Sequence, residues 1–342
     1  MRAALLYGPD DLRIEGLAAE TPGPGELVVR VEAALTCATD VKMWRRGHPA
    51  LGAYPARFGH EWAGTVTAAG EGAPFPPGER VVVADSAPCG TCAMCRRGQE
   101  NLCPDLQYLF GGFAEAVRVP ARHGARNTYR VPADVPAEVV AMADPLACAL
   151  RAADVAAVRA AERVLVLGAG PTGLLVTWVA SRRGASVTVS DPHQARLAQA
   201  GRFGASATYP RTGDDSTDEA AMRDLRGADG PDLVIEAVGR PAAWEQAVRL
   251  ARRGGRVCLF GGCARGTVAR FPTERLHYDE VTVLGAYHHA PRYFQEAVAA
   301  LVGGLVPADH LLGERYRLDD LAVALRNMEA TRERSVKHVV VP

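Results

Sequence analysis

Residues 163–191 read RVLVLGAGPTGLLVTWVASRRGASVTVSD, and this stretch decides the fold of the middle of the chain. An apolar run ends in Gly168-Ala169-Gly170-Pro171-Thr172-Gly173, which fits G-x-G-x-x-G. A helical segment, PTGLLVTWVASRRG, follows, and a second apolar run ends in Asp191. Gly-rich turns are common, so the hexapeptide gains its meaning from lying between a strand and a helix. There the first glycine permits a tight turn, and the second lets the backbone approach a pyrophosphate. The third allows close helix–strand packing, and the helix N-terminus favours the phosphate charge. Gly168, Gly170, Pro171, Thr172 and Gly173 are therefore the expected dinucleotide cradle. Asp191, about 20 residues beyond the turn, sits where a carboxylate accepts hydrogen bonds from the adenosine ribose. It would repel a 2′-phosphate, which favours NAD over NADP. Two alternatives stand beside this reading: Asp191 as a cap of the next helix, and Arg196 as an offset to the repulsion.

The alternation continues outward from the fingerprint. HQARLAQAGRFG reads as helix, DLVIEAVG as strand, PAAWEQAVRLARRGG as helix and RVCLFGG as strand. Apolar strands joined by helical crossovers predict a parallel, doubly wound sheet. Before it, residues 1 to about 145 carry short β-type runs such as ELVVRVEAAL, WAGTVTAAG and FAEAVRVP, broken by Gly and Pro. That texture predicts a mostly antiparallel β-domain. The style changes near Ala147, where LACALRAADVAAVRAA has amphipathic helical spacing. The last sixty residues hold VTVLGAY, two helical stretches and a closing strand, KHVVVP, whose partner composition does not reveal.

A length of 342 residues fits two domains or one large one. Basic and acidic residues balance at 39 each, so neither nucleic acid nor an anionic membrane is an expected partner. Lysine occurs only at positions 42 and 337, and the arginines are scattered, as a GC-rich genome would produce. The N-terminal MRAALLYGPDDLRIEG lacks a signal-peptide core, and no run approaches the length of a membrane span. The expectation is a cytoplasmic protein, whose reducing compartment makes clustered cysteines metal ligands rather than disulfides.

Four of the eight cysteines, Cys89, Cys92, Cys95 and Cys103, fall in CGTCAMCRRGQENLC. Four thiolates at this spacing suit a closed tetrahedral structural zinc. An iron–sulfur cluster is the competing occupant, and a redox CxxC pair fits the Gly/Arg/Gln-rich loop less well. A second constellation is spread out: Cys37 in TCATD, His60-Glu61 in FGHEWAG and Asp144 in MADPLAC. Separately these read as a core cysteine, a hydrogen-bonded loop histidine and a helix cap. Together they offer thiolate, imidazole and carboxylate, the ligand types of an open catalytic zinc site.

With CATD (37–40), GHE (59–61), the cysteine lobe, GGFAEAVRVP (111–120), DPLACAL (144–150) and GAGPTG (168–173), the chain resembles the zinc-dependent medium-chain dehydrogenase/reductases over its whole length. Within them it resembles the sorbitol (polyol) and threonine dehydrogenase branch more than the classical liver-type alcohol dehydrogenases. The resemblance implies an α/β plus β architecture, a GroES-like β-barrel catalytic domain with an inserted Rossmann domain. It would place residues 1–148 and 282–342 in the catalytic domain, with a structural zinc lobe at 86–106, and residues 149–281 in the Rossmann domain. It implies two zinc ions per subunit and NAD. Cys37 and His60 would ligate the catalytic zinc, with Glu61 beside it and Asp144 completing the site. Thr39 would relay the substrate proton and Asp40 would orient His60.

Two positions depart from the family pattern. Asp144 replaces the usual glutamate and is one methylene shorter, leaving its contact open between direct, water-mediated and absent. Lys42 stands where many members place a histidine that ends the proton relay. The implied activity is reversible oxidation of a secondary alcohol of polyol, sugar or cyclitol type, in a homodimer or homotetramer. A threonine-type dehydrogenase, an NADP-linked ketone reductase and a non-catalytic nucleotide-binding protein are the alternatives. Trp44, Arg45, Arg46 and His48 read equally as contacts for a hydroxyl-rich substrate or as a solvated loop face. His288-His289 reads as structural or as lying at a domain edge.

Overall fold

The computed structural model describes residues 1–224, 230–331, 333–334 and 336–342. It divides into two compact units: Met1–Ala147 with His289–Arg332 and Val336–Pro342, and Cys148–His288 with Glu333–Ser335.

In the first unit the strand Leu27–Leu35 is buried along almost its whole length, as its nearly unbroken apolar run requires. It pairs antiparallel with Glu61–Ala69, with Ala116–Val119 and with the closing strand Lys337–Val341. The sheet extends through Arg80–Val83 to Thr128–Arg130 on one side, and through Leu312–Arg317 on the other. The partner of the closing strand, which composition left open, is thus the strand that leads to Cys37. Phe58, Trp62 and Phe113 fill the core beneath this sheet, the two phenylalanine rings meeting edge to face at 5.1 Å between centroids.

The second unit is a six-stranded, wholly parallel sheet. Its order is Ala207–Pro210, Ser186–Asp191, Arg163–Leu167, Leu233–Glu236, Arg256–Leu259 and Thr282–Gly285. The helices Pro171–Arg182, Gln194–Ala200 and Pro241–Leu250 stand where the sequence pattern predicts crossovers. Thr282–Gly285, grouped by the sequence reading with the C-terminal segment, is the sixth strand of this sheet. Exposed at both ends and only half-buried between, it carries no apolar signal of parallel pairing, which backbone hydrogen bonds supply instead.

Truncating the fully buried Phe58 to alanine is expected to cost about 3–5 kcal/mol through lost transfer energy and a residual cavity. Urea unfolding checks this: the midpoint should fall with little change in slope, and a loss under about 1 kcal/mol would mean the site collapses around the gap.

Candidate functional site

Strand register builds the first cluster. Leu35 pairs with Glu61, so the chain leaving one strand runs beside the chain entering the next. Two residues past Leu35, Cys37 takes an extended conformation and caps the helix Ala38–Arg46. Just before Glu61 stands His60. The Sγ of Cys37, a ring nitrogen of His60 and a carboxylate oxygen of Glu61 all lie within 4.8 Å of one another. Asp40, one turn into the helix and fully buried, fixes two of these groups at once. Its Oδ2 accepts from the Cys37 amide at 2.8 Å, and its Oδ1 lies 3.0 Å from His60 Nδ1. With Nδ1 occupied by the carboxylate, Nε2 is the nitrogen presented to the cluster, 3.7 Å from Glu61 Oε1.

A residue that the sequence reading missed completes the arrangement. Lys337, at the start of the closing strand and 2% exposed, donates to both Glu61 oxygens at 2.7 and 2.8 Å and to the Thr36 carbonyl at 3.2 Å. Burial alone would lower its ammonium pKa, but Glu61 and Cys37 outweigh burial and raise it. Burial likewise opposes ionisation of Cys37, yet Lys337 and His60 bring the thiol down to about 6. The one available signal was compositional: one of only two lysines in the chain lies in an apolar strand.

Asp144 lies outside this three-residue cluster. It occupies the first turn of Ala143–Val155, where its Oδ2 is 3.0 Å from His289 Nε2, with Asp85 Oδ1 at 3.5 Å from the same nitrogen. His289 is buried; burial would lower its pKa, but the two carboxylates carry it to about 9. The shorter side chain is thus engaged by an imidazolium that sequence alone marked as structural or at a domain edge, and the boundary between the two units falls between His288 and His289. Thr39 is half-buried in the helix's first turn, whereas Lys42 is exposed. Of the four loop residues, Trp44 belongs to the core and Arg45 pairs with Asp10 and Glu329. Arg46 and His48 are exposed, and His48 Nδ1 accepts from the Ala50 amide.

The four-cysteine loop forms a second cluster, with Sγ–Sγ separations of 3.5 Å (Cys92–Cys95), 3.8 Å (Cys92–Cys103) and 3.9 Å (Cys89–Cys95). A tetrahedron of sulfurs about 2.3 Å from a central Zn²⁺ has edges of about 3.8 Å, so the donor set fits one such cation. A disulfide requires about 2.05 Å, and a multinuclear cluster would spread the thiolates farther apart. Amides of Thr91, Cys92 and Cys95 point at these sulfurs at 3.3–3.4 Å, as thiolates require of their surroundings.

In the second unit Gly168 turns the chain with φ +101°, and Gly170 caps the helix that begins at Pro171. A Cβ at Gly173 would fall 1.9 Å from the Gly168 carbonyl oxygen, so only glycine allows this approach. Thr172 is half-buried beside Pro171. Asp191 Oδ2 accepts from the Ala169 amide at 2.8 Å and from Arg196 at 3.3 Å, while its Oδ1 accepts from the His193 amide at 2.9 Å. The glycine turn at the start of this helix fits the pyrophosphate of a dinucleotide.

Residues 23–132 match the family model of the alcohol dehydrogenase GroES-like domain, and residues 171–303 match that of the zinc-binding dehydrogenases. Over its whole length the chain is 30% identical to the erythritol/L-threitol dehydrogenase of Mycolicibacterium smegmatis, covering 98% of that protein. The chain belongs to the zinc-type medium-chain alcohol dehydrogenases. It is also 36% identical to the D-altritol 5-dehydrogenase of Agrobacterium fabrum, across 81% of each chain. Among solved structures, the Thermus alcohol dehydrogenase TADH superposes with TM-score 0.86 at 28% identity, covering 100% of this chain and 99% of that one. A zinc-binding dehydrogenase of Sinorhizobium meliloti bound to NADP gives 0.88 at 28%, with the same coverage. The fold is accordingly a GroES-like domain with a Rossmann-type domain, and the dehydrogenase is an oxidoreductase of CH–OH donors. Among the described residues no helix is long and apolar enough to cross a membrane.

Replacing Lys337 with methionine leaves the Glu61 carboxylate buried without its counter-ion, and about 3–5 kcal/mol of stability should be lost. Denaturant unfolding of the metal-free protein, in which no cation replaces the lysine, measures this; an unchanged midpoint would mean that Glu61 is neutral. Replacing Cys103 with serine should remove one zinc per chain and lower the melting temperature before turnover is affected. Turnover lost at unchanged stability would reverse the roles of the two clusters.

Proposed function

We propose that the dehydrogenase oxidises a secondary alcohol of polyol, sugar or cyclitol type to a ketone, reversibly and with NAD. The observation that carries this reading is the Cys37–His60–Glu61 cluster with its ring pinned by Asp40, and the polyol specificities of the relatives named above support it. Cys37, His60 and Glu61 would hold the catalytic zinc, and Cys89, Cys92, Cys95 and Cys103 the structural one. Zinc in the first site supplies a Lewis acid that stabilises negative charge developing on a hydroxyl oxygen. NAD at the glycine turn supplies the hydride acceptor.

The chain's own groups do the rest. Asp40 keeps the His60 ring in one tautomer and orientation, and Lys337 neutralises Glu61 so that the thiolate and carboxylate can coexist in a buried place. Thr39 would relay the hydroxyl proton, accepting it as its own hydroxyl proton passes onward, and the exposed Lys42 in place of a histidine leaves the last step of that passage to solvent. Asp144, held by His289, stands near enough to influence Glu61 electrostatically and serves as a fixed acceptor rather than a zinc ligand. Gly168, Gly170 and Gly173 with Pro171 and Thr172 admit the pyrophosphate, and Asp191 takes the adenosine ribose. The catalytic domain would comprise residues 1–147 and 289–342 and the Rossmann domain residues 148–288, a boundary later than the expected 282 because Thr282–Gly285 pairs into the parallel sheet, in a cytoplasmic homodimer or homotetramer.

Two observations favour NADP as a second reading: Arg196 lies against Asp191 and offsets its charge, and the Sinorhizobium neighbour carries NADP. Cofactor reduction with each dinucleotide, across polyols, cyclitols and threonine, decides between the two. NAD is expected to give the higher kcat/KM, and Arg196→Ala should lower whatever NADP activity exists.

Replacing Cys37 with serine should reduce turnover at least about a thousandfold and remove one zinc per chain while NAD binding persists. Turnover that survives loss of that zinc would rule out the mechanism.

A further inference from the structure

Glu236 ends the strand Leu233–Glu236 in the middle of the parallel sheet, and it is completely buried. Nothing in the reaction described above uses it. Its Oε1 accepts from the Val238 amide at 2.7 Å and from the Gly239 amide at 2.8 Å. Its Oε2 lies against Gly261, where a Cβ would come within 2.8 Å of it, and has no hydrogen-bond partner among the described residues. A carboxylate fully withdrawn from water and without an ion pair is costly, and its persistence asks for a task.

The loop it holds supplies one. Ala237 and Val238 face the first glycine of the fingerprint: a Cβ on Gly168 would meet Val238 Cγ2 at 3.1 Å and the Ala237 carbonyl oxygen at 3.4 Å. Gly173 looks the same way, its absent Cβ 3.7 Å from Ala237 Cβ. On the other side Gly239 turns with φ +77° against the Gly262 carbonyl, and the Phe260 and Gly261 amides donate to the Glu236 carbonyl. Three strand-end turns, at 168, 237–239 and 260–262, are therefore close-packed around this carboxylate. Val238 itself is 45% exposed, an apolar side chain at the rim of the cradle.

We propose that Glu236 is a positioning residue for the dinucleotide, its carboxylate clamping the 237–239 loop so that Val238 and the Ala237 carbonyl are set against the pyrophosphate turn. The inference rests on the reading that a dinucleotide occupies that turn. An ionised carboxylate holds two amides by charge-assisted bonds; the neutral acid holds them less firmly. Burial raises this carboxyl to about 7, against the pull of the Gly239 and Val238 amides and, more weakly, of the Trp244 indole and the Gly261 amide. Among the described residues, the groups facing it are the Cys258 thiol on the neighbouring strand, on which Arg151 also acts, and the neutral Trp244 indole. Since the ionised form is the clamp, dinucleotide affinity should rise with pH through about 7.

The test is NADH binding to the zinc-replete protein by fluorescence titration, at pH values spanning neutrality. For the wild type, Kd should weaken as pH falls. Glu236→Gln should bind about tenfold more weakly above pH 7, as expected for losing a hydrogen bond to a charged group, with a flattened profile. A His277→Asn control, at the exposed end of the helix Thr273–His277, should keep the wild-type profile. Should Glu236→Gln fail to fold, the amide proton shifts of Val238 and Gly239 in the wild type take its place, and both should titrate together near neutrality. The inference fails if the glutamine variant binds as the wild type does, if affinity improves as pH falls, or if those amide shifts stay flat. Absence of NADH binding by the wild type would instead overturn the cofactor reading itself.

Discussion

The ion pair between Lys337 and Glu61 is the contact on which the first unit's site depends. Both groups are withdrawn from water, and such a pair repays its desolvation only when the geometry is close and the remaining hydrogen bonds are made. Here the ammonium reaches both carboxylate oxygens and a backbone carbonyl, with Cys37 and Asp40 adding further negative charge around it. The same cation lowers the thiol of Cys37, so one lysine makes a thiolate and a carboxylate compatible in a buried cluster. Its placement follows from pairing the C-terminal strand with Leu27–Leu35, which ties the chain's last residues to the chemistry of its first forty.

Asp40 plays the complementary part on the other side of the cluster. By accepting from the Cys37 amide it fixes the start of the helix, and by holding His60 Nδ1 it fixes the ring. One carboxylate thereby converts a local helix-capping interaction into control over two groups that are 23 residues apart in sequence. In the second unit, Asp191 and Glu236 act in the same manner on backbone amides, one across the glycine turn and one across the neighbouring loop. Buried carboxylates satisfied by main-chain N–H groups are the recurring device by which this protein sets its loops.

Much of this was legible in residues 163–191 and 89–103. The glycine spacing needs only local backbone geometry, and four cysteines within fifteen residues have few ways to be brought together other than a small cage. Cys37, His60 and Glu61 were legible only as residue types, because their proximity depends on strand register. The reading failed to anticipate Lys337, whose partner lies 276 residues away, and it could not foresee that His289 would engage Asp144 from 145 residues away. Trp44 and Arg45, equally readable as substrate contacts, are taken by the core and by ion pairs with Asp10 and Glu329.

The sequence by itself therefore determined the class of each unit, the closed cysteine cage and the dinucleotide turn, because those features are written in short-range spacing and hydrophobic period. Tertiary structure alone decided which strand the C-terminus joins and which sheet receives residues 282–285. It also decided which carboxylate meets the Cys37–His60 pair and which is drawn aside by a histidine. These choices depend on long-range register and on competition for buried charge, and neither leaves a periodic trace in the chain.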